Sequence, residues 1–229
     1  MSAYPEKSHY TAEDLAAIIA LLRDPEKGCP WDKVQTHTSI RMNFLEEAYE
    51  AVDAIDLNDP ELMCEELGDV LMQVVFHAQM ENEQGHFNFA QVCDGVCRKL
   101  IDRHPHIFLG AQSIKDWDTL KNIEKGRVTL QDDLESVPLA LPALMRAAKL
   151  QKRAARGGVT VQAGADTVAA AAKAAQLCDD AEKEAAVGQM LFAAVALARS
   201  LGVDPEQALQ RRNAQFTAQP TFCQEAEQP

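Results

Sequence analysis

The sequence LEEAYEAVDAIDLNDPELMCEELGDVLMQVV, residues 45–75, decides the fold. Apolar residues recur at helical spacing on both sides of Asn58, Asp59 and Pro60, where Asp59 is suited to cap a helix whose first residue is Pro60. Two helices joined by so short a turn form an antiparallel hairpin. We therefore expect one helix to end near residue 57 and the next to cover residues 60–83.

The same hairpin carries two pairs of acidic residues. Residues three apart share a helix face, so Glu47 with Glu50 and Glu66 with Asp69 each place two carboxylates on one side. Counted outward from the turn at about 1.5 Å per residue, Glu50 and Glu66 lie at similar depth, and Glu47 and Asp69 lie about one turn deeper. Four converging carboxylates repel one another unless a cation sits between them. Oxygen ligands without Cys or His predict Mg²⁺, with Mn²⁺ as the alternative.

A single acidic pair at this spacing is commonly a solvated helix surface. Here both pairs border the apolar stripes of their helices instead of lying opposite them. The two pairs also fall at matched depth, which a solvated surface does not require. The pattern therefore favours a metal site.

Composition restricts the class of protein. Helix-forming residues dominate the 229-residue chain, Ala above all, and alternating β-branched runs are scarce, which predicts an all-α fold. The net charge of −13 argues against nonspecific binding to nucleic acid or to an anionic membrane, but it leaves a nucleotide ligand open because a metal reverses the local sign. The start lacks a signal sequence and no apolar run reaches transmembrane length, so we expect a cytoplasmic protein. Six scattered cysteines predict reduced thiols.

The rest of the chain is also predominantly helical in pattern. We expect helices over about 11–23, 38–57, 60–83, 88–103 and 115–125, with a Gly/Pro-containing loop over 24–39. A polar and acidic stretch, 126–138, is predicted to be a linker. A second helical half follows over 139–216.

The two halves are related in sequence. Residues 65–79 and 185–199 align at an offset of 120 with a shared glycine and a shared apolar pattern, which predicts an internal duplication. The second half has no acids at the matching positions: Ala186 and Gln189 replace Glu66 and Asp69. Upstream, the helix TVAAAAKAAQLC between Asp166 and Asp179 holds no acid at all. The fold evidently packs without these acids, which strengthens the case for a functional role in the first half.

Four motifs in the first half together resemble those of the MazG nucleoside triphosphate pyrophosphohydrolases. They are CPWDKVQTHTS (29–39), EExxE (46–50), ExxD (66–69) and KLIDRHPHIF (99–108). The paired acidic motifs alone are shared with a wider all-α pyrophosphatase superfamily, so the full set is the specific signal. The resemblance runs from about residue 11 to residue 216.

This resemblance implies an all-α protein of two duplicated helical-bundle domains that form a homodimer. It also implies Mg²⁺ dependence and cleavage of nucleoside triphosphates to the monophosphate and pyrophosphate, as in nucleotide-pool house-cleaning. The implied domains are a catalytic one over 1–125, the linker over 126–138, and a degenerate one over 139–229. The metal ligands are then Glu47, Glu50, Glu66 and Asp69, with Glu46 beside them as the candidate catalytic residue.

Family members also hold the triphosphate with a Lys and an Arg four residues apart, and with a Trp followed four residues later by Lys. The matching positions here are Lys99 with Arg103 and Trp117 with Lys121. The alternative for Lys99 and Arg103 is a solvated basic turn favoured by the helix dipole. Trp31 either stacks on a base or anchors its loop in the core.

Two other functions remain open at this stage. The degenerate second half is compatible with a nucleotide sensor or assembly protein that binds nucleotide without turnover. A di-iron carboxylate bundle requires Glu-x-x-His pairs on two helices, and the matches here are Glu6 with His9 and Glu83 with His86 across a glycine. We expect His104 and His106 to cap or pack the helix end at Pro105.

Overall fold

The computed structural model describes residues 4–108 and 129–218. Within those residues it contains ten α-helices, one short 3₁₀-helix and no strand, which confirms the all-α class. The chain divides into two compact units, residues 1–114 and 115–229. No single helix in the described ranges has the length and apolarity to cross a membrane, although one pair of helices bent by 102° (Lys183–Ser200 and Pro205–Thr217) meets those criteria jointly.

The first unit contains helices α1 (Ala12–Leu22), α2 (Arg41–Leu57), α3 (Pro60–Glu83), α4 (Phe89–Arg103) and the single turn α5 (Pro105–Phe108). Helix α3 is central, since α1, α2 and α4 all pack against it. The turn between α2 and α3 is as predicted: Asn58 adopts a left-handed conformation with φ of 55°, and the Asp59 side chain accepts hydrogen bonds from the amides of Glu61 and Leu62.

Capping side chains also define the ends of the other helices. Thr11 and Asp14 form a capping box at the start of α1, and Asn88 and Gln91 form one at the start of α4. Helix α2 begins at Arg41, three residues after the predicted start. Thr36 and Ser39 exchange hydrogen bonds between side chains and backbone amides, which holds the chain in a turn before the helix.

The core of the first unit lies around the C-terminal half of α3. Its buried members come from α1, from the residue before α2 and from α3 (Ile19, Ile40, Val75, Phe76, Met80). Near the α2–α3 turn the apolar side chains of both helices are exposed instead (Val52, Ile55, Leu67, Leu71). The acidic residues therefore lie at the end of the hairpin that the core does not cover.

The loop between α1 and α2 is held by Arg23. This buried guanidinium pairs with Glu83 of α3 through Nε at 2.7 Å and Nη2 at 2.8 Å, and its Nη1 donates to the carbonyl oxygens of Asp32 and Gln35. Arg23, which caps the end of α1, therefore fixes the loop to α3. Gly28 lies where the loop turns back, because a Cβ there would come within 2.4 Å of two backbone oxygens.

The second unit contains α6 (Leu130–Glu135), α7 (Ala143–Arg156), α8 (Ala165–Leu177), α9 (Lys183–Ser200) and α10 (Pro205–Thr217). Helix α9 packs against α7, α8 and α10. Buried Gln151 joins α7 to α9, donating to the Phe192 carbonyl at 2.8 Å and accepting from Arg199. The helices of this unit match the predicted second helical half, and the internal duplication stays a prediction.

Residues 126–138, predicted to be a linker, contain α6. Thr129 and Asp132 form a capping box that starts this helix, and Asp133 forms a salt bridge of 2.9 Å with the buried Arg153 of α7. The polar character that indicated a linker reflects this cap and ion pair. The predicted helix over 115–125 lies outside the described residues.

Candidate metal centre

Three carboxylates meet between α2 and α3. Glu47 on α2 and Glu66 and Asp69 on α3 each present an oxygen, and these three oxygens lie within 4.8 Å of one another. Among the described residues this is the one group of three or more His, Cys, Asp or Glu side chains so arranged. All three residues are partly buried. The hairpin register predicted from the Asp59–Pro60 turn thus brings residues from both helices together.

Glu50 lies beside this group, at its exposed side. It is not one of the three residues with converging oxygens, yet its charge raises the pKa of both Glu47 and Glu66. Of the four predicted ligands, the structure therefore brings three together and places the fourth next to them.

The group is electrostatically unfavourable on its own. Burial is the main cause that raises the pKa of Glu47, followed by the charges of Asp69 and Glu50. Burial also raises the pKa of Glu66, with Glu50 and Glu65 as the next causes. No ion pair within the described ranges joins Lys, Arg or His to any of the four predicted ligands. The oxygens therefore match a hard divalent cation, which supplies the missing positive charge.

Gln73 also belongs to this site, although the sequence reasoning did not select it. It is buried, and a hydrogen bond from its side-chain amide to the Glu47 carboxylate partly offsets the rise in the pKa of Glu47. Gln73 follows Asp69 by four residues and Glu66 by seven, which places all three on one face of α3. That ExxDxxxQ spacing is the signal from which it could have been found.

Glu46 does not join the group. It precedes Glu47 by one residue, so it points about 100° away around α2, and it is exposed. The structure therefore shows no contact that supports the catalytic role predicted for Glu46.

The predicted basic pair lies on α4. Lys99 is exposed and Arg103 is partly buried, and the four-residue spacing places them on one face of the helix. Helix α4 packs against the core through Phe89, and its residues 96–102, which include Lys99, are all exposed. The other predicted pair, Trp117 and Lys121, lies outside the described residues.

Trp31 does not anchor its loop in the core. Its side chain is 57% exposed, while the loop around it is fixed on both sides. Before it, the Cys29 amide donates to the Leu22 carbonyl at 2.8 Å; after it, Arg23 binds the carbonyl of Asp32. An exposed indole on a fixed loop is suited to stacking on a base, and this role of Trp31 stays a prediction.

The structure disagrees with a di-iron centre. Glu83 is bound to Arg23, and His86 donates instead to Glu81, so the Glu83 and His86 pair does not face a common metal position. His104 uses Nδ1 on the carbonyl oxygen of Leu100 at 2.7 Å, which confirms the predicted role of capping the end of α4.

Comparison with known proteins identifies the family of this chain. The MazG nucleotide pyrophosphohydrolase domain is matched over residues 35–108, which include the four predicted metal ligands. A nucleoside triphosphate pyrophosphohydrolase of Escherichia coli strain K12 is 42% identical over 218 residues, covering 88% of this chain and 82% of the relative. The chain belongs to the MazG family.

Two further relatives carry similar names. A nucleoside triphosphate pyrophosphohydrolase/pyrophosphatase MazG of Thermotoga maritima is 41% identical over 212 residues, covering 89% of this chain and 82% of the relative. A nucleoside triphosphate pyrophosphohydrolase of Mycolicibacterium smegmatis is 34% identical over 157 residues, covering 66% of this chain and 48% of the relative. Within this MazG chain, the carboxylate group lies in the matched segment of the first unit.

Proposed function

We propose that the first unit hydrolyses nucleoside triphosphates to nucleoside monophosphate and pyrophosphate, with Mg²⁺ as cofactor and Mn²⁺ as a substitute. The observation that carries the proposal is the group formed by Glu47, Glu66 and Asp69, whose oxygens converge without a cationic partner in the described ranges. The names of the relatives supply the reaction class.

The residues present fit a divalent metal. Glu47, Glu66 and Asp69 would hold it, with Glu50 completing an all-oxygen set, and Gln73 fixes the orientation of the Glu47 carboxylate. When bound, the metal supplies positive charge to the phosphate oxygens and polarises water. A bound cation would relieve the repulsion among these carboxylates, and this relief favours metal binding.

Residues on two other elements hold the substrate in this proposal. Lys99 and Arg103 of α4 bind the phosphates, since cations four residues apart on one helix face can contact adjacent phosphoryl groups. Trp31 stacks on the base or sugar from its fixed loop. Trp117 and Lys121 are carried over from the family resemblance alone.

The proton from the attacking water goes to a carboxylate. Glu46 is the residue predicted for this role, and a carboxylate of the metal group is the alternative. A Glu46→Gln variant distinguishes the two, because it abolishes turnover only if Glu46 itself accepts the proton.

The assembly in this proposal is a homodimer. Near the α2–α3 turn the side chains of Val52, Ile55, Leu67 and Leu71 are between 39% and 54% exposed, although they lie on the predicted apolar stripes. A second copy covers this surface and excludes water from the neighbouring acids. The degenerate second unit is then structural, and a nucleotide substrate agrees with a cytoplasmic location.

Product analysis tests the proposal. Purified protein is incubated with Mg²⁺ and a panel of ribo- and deoxyribonucleoside triphosphates, beside Glu50→Gln and a matched control, Asp56→Asn, an exposed acid on the same helix. Monophosphate and pyrophosphate from the wild type and the control, but not from Glu50→Gln, support the proposal. Diphosphate and phosphate contradict it, and saturable binding without products favours the nucleotide sensor.

A further inference from the structure

A second polar cluster lies further along α3, and the proposed hydrolysis does not use it. Nδ1 of His37, in the loop before α2, is 2.7 Å from Nδ1 of His77 on α3. Nε2 of the same His37 is 2.7 Å from one oxygen of Glu81, and the other oxygen of Glu81 is 2.7 Å from Nδ1 of His86. His37 therefore joins the loop before α2 to α3 through two residues, His77 and Glu81.

This cluster adjoins the metal centre along the groove between α2 and α3. His77 follows Gln73 by four residues on α3, and Phe44, whose ring meets that of His77 edge-on at 5.8 Å between centroids, precedes Glu47 by three residues on α2. Both separations are about one helical turn on the same face. The histidine contact thus lies one turn beyond the Gln73–Glu47 hydrogen bond.

Counting protons shows what the contact allows. Hydrogen bonds from His86 and His37 hold the pKa of Glu81 below its ordinary value, so the Glu81 carboxylate accepts and His37 carries a proton on Nε2. The link between the two Nδ1 atoms then needs one proton. Either neutral His77 donates it to neutral His37, or the His37 imidazolium donates it to neutral His77. Two imidazolium rings place two N–H groups against each other and cannot form the link.

His77 is the ring that remains neutral. It is partly buried, and burial lowers its pKa first, with the charge of His37 as the second cause. The residue of α2 that contacts the His77 ring is Phe44, whose side chain is uncharged. The charged groups of the neighbouring elements are engaged elsewhere: Arg23 with Glu83, and Glu47 with Gln73.

The loop that His37 fixes is the one that carries Trp31. Arg23 holds the backbone at Asp32 and Gln35, and His37 holds the segment directly before α2. Since His37 is itself exposed, the Glu81 carboxylate and the His77 imidazole are the contacts that join its side chain to α3, beside the turn formed by Thr36 and Ser39.

We propose that His37, His77 and Glu81 form a proton-sharing clasp that fixes the 29–40 loop on the α2–α3 hairpin and so positions Trp31 for nucleotide binding. The clasp opens when both imidazoles become protonated. His37 and His77 are positioning residues, because they act through the loop and not on the phosphates. The nucleotide part of this inference rests on the proposed function, whereas the clasp itself does not.

The clasp is tested first without nucleotide. Long-range proton–nitrogen NMR of the imidazoles, assigned with single His→Gln variants, reports the tautomer and titration of each ring. We expect His77 to titrate at lower pH than an exposed histidine, and to return toward the ordinary range in His37→Gln. Independent titration of His37 and His77 in the wild type overturns the clasp.

Loop position is read from Trp31. The chain has two tryptophans, so Trp117→Phe leaves Trp31 as the sole tryptophan, whose emission is excited selectively over that of tyrosine. Its emission should change as His77 becomes protonated, and this pH dependence should be absent in His37→Gln and in His77→Phe, which keeps a ring against Phe44. An emission that follows no histidine titration overturns the link to the loop.

Kinetics then test positioning. His37→Gln is expected to raise KM for the nucleotide about tenfold at pH 7.5, the size of one charge-assisted hydrogen bond, with kcat nearly unchanged. His86→Gln is the matched control, because it contacts Glu81 but not His77, and its KM should stay at the wild-type value. Equal effects of the two variants overturn positioning. If the wild type hydrolyses no nucleotide, the proposed function fails, and the NMR and fluorescence results still decide the clasp.

Discussion

The side-chain amide of buried Gln73 donates a hydrogen bond to the Glu47 carboxylate, while its own carbonyl oxygen has no partner among the described residues. An unpartnered buried oxygen costs stability, so this glutamine is not explained by packing. Its contribution is to orient and stabilise the ionised form of Glu47, as groups behind a metal ligand commonly do.

Gln73→Leu should therefore separate folding from metal binding. Removal of the unpartnered oxygen is expected to leave the free energy of unfolding unchanged or higher, whereas Mg²⁺ or Mn²⁺ affinity should fall about 10- to 100-fold. Isothermal titration calorimetry and thermal unfolding measure the two quantities. Gln79→Leu is the matched control, because Gln79 lies on the same helix and donates to Glu83 instead. Equal loss of metal affinity in both variants contradicts the assignment.

Neutralising Glu47, a proposed metal ligand, should stabilise the metal-free protein. The folded state raises the pKa of Glu47 and Glu66 above the ordinary 4.5, so ionisation destabilises it. This penalty is absent below pH 4.5 and complete above the raised pKa. Glu47→Gln should thus have a higher Tm than wild type at pH 7.5 without metal, and the difference should shrink as the pH falls toward 4.5.

Added Mg²⁺ should reverse the order of the two Tm values. At a Mg²⁺ concentration about a hundredfold above Kd, the wild-type Tm is expected to rise by about 5–10 °C. Glu47→Gln should rise far less, because it has lost a ligand. Scanning calorimetry with Mg²⁺ and with EDTA measures both effects. The same Mg²⁺-induced shift in wild type and variant refutes the carboxylate group as the metal site.

Mutation of Arg23 should reduce stability more than mutation of its partner Glu83. Arg23→Met leaves Glu83 without its cationic partner and two loop carbonyls without their donor, and should cost about 3–5 kcal/mol in the free energy of unfolding. Glu83→Gln should cost less, because Arg23 keeps both carbonyls. Urea unfolding of the two variants measures the difference.

Acid should remove the contribution of Glu83. The Arg23 guanidinium holds the pKa of Glu83 below its ordinary value, so its stabilisation is present above pH 4.5 and is lost as the pH falls through the lowered pKa. The stability difference between wild type and Glu83→Gln should therefore disappear in acid. A difference that persists there contradicts the ion pair as its source.

Gly28→Ala should destabilise the first unit. The added Cβ would lie 2.4 Å from the backbone oxygens of Asp24 and Leu22, which cannot move without disturbing the end of α1, so a loss of about 1–3 kcal/mol is expected. Gly95→Ala is the control: it lies within α4 with no atom within 4 Å of the new Cβ, and should stabilise by about 0.5–1 kcal/mol. Thermal unfolding of both variants tests the contrast.

Local sequence determined the positions of the helices and the convergence of the acidic side chains of α2 and α3. Asp59 and Pro60 set the start of α3 because a cap needs only its own turn, and the three-residue spacing of Glu66 and Asp69 set their common face because helix geometry is regular. Together these fix the register that places Glu47 opposite them. The capping box of Thr129 and Asp132 was equally readable, and it indicates α6 within a stretch interpreted as a linker.

Only the tertiary structure decided which side chains meet across long separations. Arg23 meets Glu83 over 60 residues and His37 meets His77 over 40, and neither spacing follows from a helical period. The burial of Gln73 and the exposure of Glu50 likewise depend on how α2 packs against α3. Sequence periodicity specifies the face of each helix, whereas the partner of a side chain depends on the packing of the other helices around it.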